Sequence, residues 1–175
     1  MDAAARRFRE AGIDGASVAE LMREAGMTVG GFYRHFPSRE ALVAEALEQA
    51  FSDLDPWEEL AQADLTEAIY RYLTETHRDT PQTGCALTAL MNDTARQGDD
   101  VRTVYTSRVA RTVSALGTGQ ARLPESSRRN RAFLILSACV GAMGLARAVV
   151  DPVLSREILD SVAAELTEFC ASSKV

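Results

Sequence analysis

Between Ala16 and Leu42 the sequence reads "ASVAELMREAGMTVGGFYRHFPSREAL", and its punctuation constrains the fold more than any other stretch. Ser17 stands three residues before Glu20, the spacing of a capping box, and opens a helix with the apolar stripe Val18, Leu21, Met22 and Ala25. Gly26 closes that helix at the position where a left-handed residue costs least. Thr28 is placed to cap a second helix running to Phe36, Pro37 breaks it, and Ser38 caps a third that continues to about residue 53. Two short helices joined by a glycine turn form the helix-turn-helix arrangement, whose second helix enters the DNA major groove. A further helix precedes them, Asp2–Ala11, with Ala4, Ala5 and Phe8 on one face and Arg6, Arg7 and Arg9 largely on another. Gly12 ends it. Met27 reads as a turn residue tucked into the core.

The second short helix carries unusual chemistry for its length. Gly30 and Gly31 weaken it by up to about 1 kcal/mol each, but their lack of side chains lets the backbone lie close to base edges. Tyr33, Arg34, His35 and Arg39 gather at its other end as a phosphate clamp, and between Met27 and Arg39 there are two arginines and no acid. This local charge matters because the 175-residue chain carries a net charge of −6, which does not advertise nucleic-acid binding.

The remainder reads as helical. Hydrophobic residues make up 46% of the chain, enough for a packed core, and runs of alternating β-branched residues are few. Helical patterns fall at about 57–62, 65–79, 84–97, 100–117, 125–150 and 155–171, and "DLDPWEEL" marks the boundary between a small head and a larger body. The division is therefore residues 1–48 and 49–175. The longest apolar stretch, 132–146, is shorter than the ~20 residues of a membrane span. Three widely spaced cysteines suit a reduced, cytoplasmic chain. No nucleophile elbow, metal-spaced cluster or phosphate-cradling loop appears, so neither catalysis nor a cofactor or metal is expected. A trio of His77, Cys85 and Asp93 is the most an enzyme could draw on.

The run from Ala3 to Leu47, and within it the pattern "AG-x-T-x-G-x-F-Y-x-H-F" followed by a basic residue, resembles the DNA-binding head of the TetR family of repressors. The resemblance implies an all-α fold, an N-terminal three-helix helix-turn-helix head with a C-terminal helical ligand-binding and dimerisation body. It implies that Ser17, Thr28, Tyr33, His35 and Arg39 hold phosphates. It also implies that Val29, Gly30, Gly31 and Tyr33 face bases while Ala19 approaches the groove edge. Phe8, Leu21, Met22, Met27, Phe32 and Phe36 would form the head's core. Family members usually carry further, often basic residues ahead of the position of Met1, and the base-facing positions here hold few hydrogen-bonding side chains. Readout would then rest on Tyr33, on thymine-methyl contact by Val29 and on DNA shape.

For the body, the expectation is a homodimer through 128–150 and the final helix. Phe133, Leu136, Val140 and Met143 lie on one face, and small residues around Gly141 allow close approach. The final helix offers Ile158, Leu159, Val162, Leu166 and Phe169. A pocket for a mostly apolar effector would draw on Tyr70, His77, Cys85, Thr88, Met91, Asn92, Tyr105 and Met143. Cys85, near a helix start, is the candidate for an electrophile or redox sensor, and residues 48–57 would carry the signal between body and head. The functional expectation is a ligand-responsive repressor that binds operator double-stranded DNA as a dimer, away from any membrane. The effector, apolar or electrophilic, would release it. The alternative is a helical adaptor with a degenerate head that no longer binds DNA.

Overall fold

The computed structural model describes residues 1–121 and 123–172, which form helices and no strand. They divide into two compact units, Met1–Leu54 with Pro81–Arg108, and Asp55–Thr80 with Val109 onward. The sequence suggested a single cut after residue 48. The structure instead groups residues 81–108 with the N-terminal helices, an association between distant segments that no local composition shift announces.

The first unit begins with α1 (Asp2–Ala11), α2 (Val18–Glu24), α3 (Val29–His35) and α4 (Arg39–Ser52). The caps work as the punctuation requires. The Ser17 hydroxyl accepts from Glu20 N–H while the Glu20 carboxylate accepts from Ser17 N–H, Thr28 accepts from Gly31 N–H, and Ser38 accepts from Ala41 N–H. Gly26 takes φ +68° at the end of α2, a conformation open to glycine at little cost. Phe8, Ile13, Phe32, Leu42 and Leu47 are fully buried. Completing the unit are α8 (Ala86–Thr94), which packs on α1 and α4, and the first half of α9 (Asp99–Thr118).

Met27 departs from expectation. It is 38% exposed and lines an apolar groove of about 210 Å³ with Met1, Met22, Phe36 and Leu42. Its N–H turns back to Met22 O, which holds the backbone inward and the side chain at the rim. Phe36 is half-buried, whereas Phe8, Leu21, Met22 and Phe32 are buried. Arg9 also departs, because it shares the buried face of α1 with Ala4, Ala5 and Phe8.

The second unit holds α5 (Asp55–Ala63), α6 (Leu65–Tyr72), α7 (Glu75–Asp79), the end of α9, α10 (Glu125–Ala148) and α11 (Pro152–Ala171). The single helix expected over 65–79 is two, because Thr74 accepts from His77 N–H and restarts the chain as α7. α11 begins earlier than expected, since Asp151 caps it and Pro152 occupies its first turn, where the missing N–H costs nothing. The buried face of α10 is Ala132, Ile135, Leu136, Cys139, Ala142, Met143 and Ala146, so Phe133 does not share a face with Leu136 and Met143 but lies outward. α10 also extends past the 132–146 stretch at both ends. At 24 residues, with an 18-residue window of mean hydropathy 1.4, it is long and apolar enough to cross a membrane by length and composition, and α11 packs against it here. Arg131 fastens that pairing, its guanidinium 3.7 Å from the Phe169 ring centroid and donating to Phe169 O at 2.6 Å.

Candidate nucleic-acid interface

α3 is a seven-residue helix with one inward anchor. Phe32 is 1% exposed and stacks on Phe36 at 5.5 Å, and Tyr33 meets the Phe32 ring edge-on at 5.0 Å. Most of the helix looks out: Val29 is 51% exposed and Tyr33 74%, Gly30, Arg34 and His35 are exposed beside them, and Gly31 is half-buried. Large apolar and aromatic groups left in water together on one short helix are informative.

Gly30 sharpens the point. A Cβ built there would meet nothing within 4 Å, and its backbone φ is not positive. The protein's own packing therefore gives no reason to forgo a side chain at a helical position. At Gly31 the added carbon would lie 3.4 Å from Thr28 Oγ1, an ordinary contact.

The polar groups divide by how fully they are used. Arg34 and His35 stand exposed at the C-terminal end of α3, and the Thr28 hydroxyl, having accepted from Gly31, keeps its proton to donate. Ser17 differs. Its O–H is directed at Glu20 Oε2 at 2.8 Å, and the bonds from Ser17 hold the Glu20 carboxyl below its ordinary range. Ala19 is exposed on α2. Arg39 has structural employment: it donates to Ile13 O at 2.5 Å and Ala16 O at 3.4 Å, with Asp14 3.7 Å away. The first residue of α4 thus fastens the loop that leads into α2.

Residues 1–46 match the family described as bacterial regulatory proteins, tetR family. The match covers α1 to α3 and the start of α4, so this head is similar to that family. Solved structures agree on the fold. The chain is similar to a TetR-family transcriptional regulator from Cytophaga hutchinsonii, at 19% identity and TM-score 0.81, over 98% of this chain and 90% of that one. It is similar also to the reduced form of E. coli NemR, at 18% identity and TM-score 0.76, over 95% and 94% of the two chains. A TetR-family regulator from Agrobacterium tumefaciens matches at 17% identity and TM-score 0.71, over 95% and 94%. No curated protein matches.

The eight effector candidates fall in different units. Cys85, Thr88, Met91, Asn92 and Tyr105 belong to the first, and Tyr70, His77 and Met143 to the second. In the first, Cys85 is the buried N-cap of α8, Met91 and Asn92 are exposed on that helix, and Thr88 is half-buried. Tyr105 donates to Leu87 O at 2.9 Å and meets Phe51 edge-on, and burial, with Cys85 nearby, pushes its hydroxyl well above the ordinary tyrosine range. In the second, Met143 is fully buried and Tyr70 is 48% exposed. His77 is half-buried rather than solvated: its ring lies 4.6 Å from Tyr72, edge-on, and Nδ1 is 2.6 Å from Tyr72 O. A carbonyl only accepts, so Nδ1 carries the proton. Burial lowers the His77 pKa, Arg147 adds to that, and the hydrogen bond to Tyr72 opposes it. None of the eight lines the open groove of about 510 Å³ that the second unit forms beside Asp64, Gln120 and Cys170. Cys139 and Cys85 are buried, and burial raises the half-buried Cys170 thiol. Among the described residues no cluster of His, Cys, Asp or Glu could hold a metal.

Two polar residues hold the first unit together, Arg9 and Asp93, the latter considered from the sequence only as an acid for catalysis. Arg9 donates to Asp53 at 2.6 Å and to Gly84 O at 3.3 Å, and Asp93 accepts from Ile13 N–H at 3.1 Å. The one available signal is that Arg9 falls four residues after Ala5, on the buried stripe of α1.

Proposed function

We propose that this chain is a tetR-family regulator that binds operator double-stranded DNA as a homodimer in the cytoplasm, represses transcription there, and is released by a small apolar or electrophilic effector. The observation that carries DNA binding is Gly30, a helical glycine with open space where its side chain would be. Glycine costs about 0.5–1 kcal/mol in a helix, and close approach by an outside surface supplies the missing reason. Val29 and Tyr33 flank it outward on the same helix, suited to a thymine methyl and to backbone or base-edge contact. Arg34 and His35 follow, suited to phosphates.

Dimerisation is supported by the outward stripe of α10, where Phe133, Leu134 and Leu145 are 41%, 50% and 59% exposed and Gly141 offers close approach between them. Val153 and Leu154 at the start of α11 add to the exposed apolar surface. A two-fold dimer presents two recognition helices, and adjacent major-groove half-sites lie about 34–36 Å apart. An effector that favours a different spacing weakens DNA binding, and operator weakens effector binding by the same factor.

The test is a salt-titrated binding assay on duplexes selected by the protein from DNA flanking its own gene. Specific binding that weakens steeply with salt supports the reading. Equal, weak affinity for every sequence would return the head to the adaptor role.

A further inference from the structure

The head of a helix-turn-helix regulator must hold its recognition helix at a fixed angle, and here part of that task falls to a residue far outside the head. Gly12 ends α1 with φ +79°, and a Cβ there would lie 2.7 Å from Asp93 Oδ2. Through that gap the Asp93 carboxylate reaches the turn and accepts from Ile13 N–H at 3.1 Å. The other side of the same residue is held too, because Ile13 O accepts from Arg39. Ile13 itself is fully buried. Its backbone is therefore gripped from both directions, by Asp93 at the end of α8 and by the first residue of α4. The loop so gripped delivers Ser17, which caps α2, and α3 lies between α2 and α4 in the chain. A second fastening holds the other end of α8, where buried Arg9 of α1 donates to Gly84 O, one residue before the cap of α8, and to Asp53 at the end of α4.

We infer that Asp93 is a positioning residue for DNA binding. It sets the α1–α2 turn from outside the 1–48 segment, and α8 is thereby a working part of the DNA-binding unit. This deepens, and rests on, the operator-binding reading above. It also gives effector occupancy a route. Thr88, Met91 and Asn92 lie on α8 within a turn and a half of Asp93, so a ligand that shifts this helix acts on the turn directly and does not need to work through residues 48–57.

The experiment compares full-length wild type, Asp93→Ala and Asp93→Asn. Each is measured for affinity to the duplex that wild type selects from a randomised pool, and for amide exchange at Ile13. Alanine removes the acceptor and leaves a partly buried N–H unpaired, whereas asparagine retains an oxygen at the same reach. Asp93→Ala should lose about tenfold or more in affinity, with faster exchange at Ile13. Asp93→Asn should stay within about threefold of wild type on both measures. That rescue separates the acceptor's role from general loss of packing or charge. Wild-type affinity and exchange in Asp93→Ala would overturn the inference. Should Asp93→Ala fail to fold, fast exchange at Ile13 in Asp93→Asn would overturn it instead. If wild type selects no duplex, the operator-binding reading fails, and exchange at Ile13 still decides whether Asp93 holds the turn.

Discussion

Replacing Gly30 by alanine should make the protein more stable and a worse DNA binder. The added carbon meets nothing within 4 Å, so no clash opposes the change inside the chain. Gly30 is the second residue of α3, in the first turn after the Thr28 cap, where the helical constraint is only partly imposed. The gain is therefore at the low end of the glycine-to-alanine range, about 0.5 kcal/mol per chain. For a chain of this length that amounts to about 1–2 °C in melting temperature. On DNA the same methyl stands where the backbone would approach base edges, between outward Val29 and Tyr33. A loss of about 1.4 kcal/mol per subunit is tenfold, and a symmetric dimer would show about a hundredfold. No charge is removed, so the slope of log affinity against log salt should not change. Urea unfolding and fluorescence anisotropy on the selected duplex read the two halves separately. Unchanged affinity in a stabilised protein would refute the claim that this glycine exists for close approach. Lower stability would refute the reading that the site is empty.

Arg34→Ala, which removes an exposed cation without disturbing packing, should lower the salt slope by roughly two units per dimer, read by anisotropy across a salt series. Arg39→Ala should do more, reducing both affinity and head stability in a melt, because Arg39 holds the carbonyls of Ile13 and Ala16. Gly141→Leu should keep the protomer folded, with a helix-propensity gain of about 0.8 kcal/mol, yet break the dimer; an unchanged dimer mass by light scattering would move the interface away from the α10 stripe. His77 binds its proton less readily folded than unfolded, so the unfolded chain takes up more protons as pH falls. Stability should therefore drop below pH 6.5, the ordinary histidine value, relative to a His77→Gln variant, and a constant difference in melting temperature between pH 7.5 and 5.5 would contradict the burial argument.

What could be read from the sequence follows the range of the interactions involved. Ser17, Gly26, Thr28 and Ser38 act on backbone groups within four residues of themselves, so a linear reading finds them, and α2 to α4 follow. The outward chemistry of α3 is legible for the same reason, since one inward anchor, Phe32, leaves Val29, Gly30, Tyr33, Arg34 and His35 to solvent. Local reading also erred where two signals share a residue. Aspartate at a cap with proline in the first turn is equally a stop and a start, so the pattern opens the last helix at 155 and not at Pro152, and Thr74 caps α7 inside what reads as one helix over 65–79. The burial of Arg9 and the turn-holding role of Asp93 are beyond reach for a different reason. Both depend on contacts with distant parts of the chain, such as the 80-residue separation of Ile13 and Asp93. The grouping of residues 81–108 with the head depends on the same long-range contacts. For the effector candidates, helical spacing and residue type cannot tell the buried Met143 from the exposed Met91.

The stoichiometry of the protein–DNA complex tests the account most directly. Size-exclusion chromatography with light scattering, run on the selected duplex at low and moderate salt, should give chains bound in multiples of two per duplex. A duplex carrying one of the two half-sites should bind far more weakly, with about half the salt dependence. A complex of one chain per duplex, or equal affinity for whole and half operators, would contradict a dimer that reads DNA with two copies of α3.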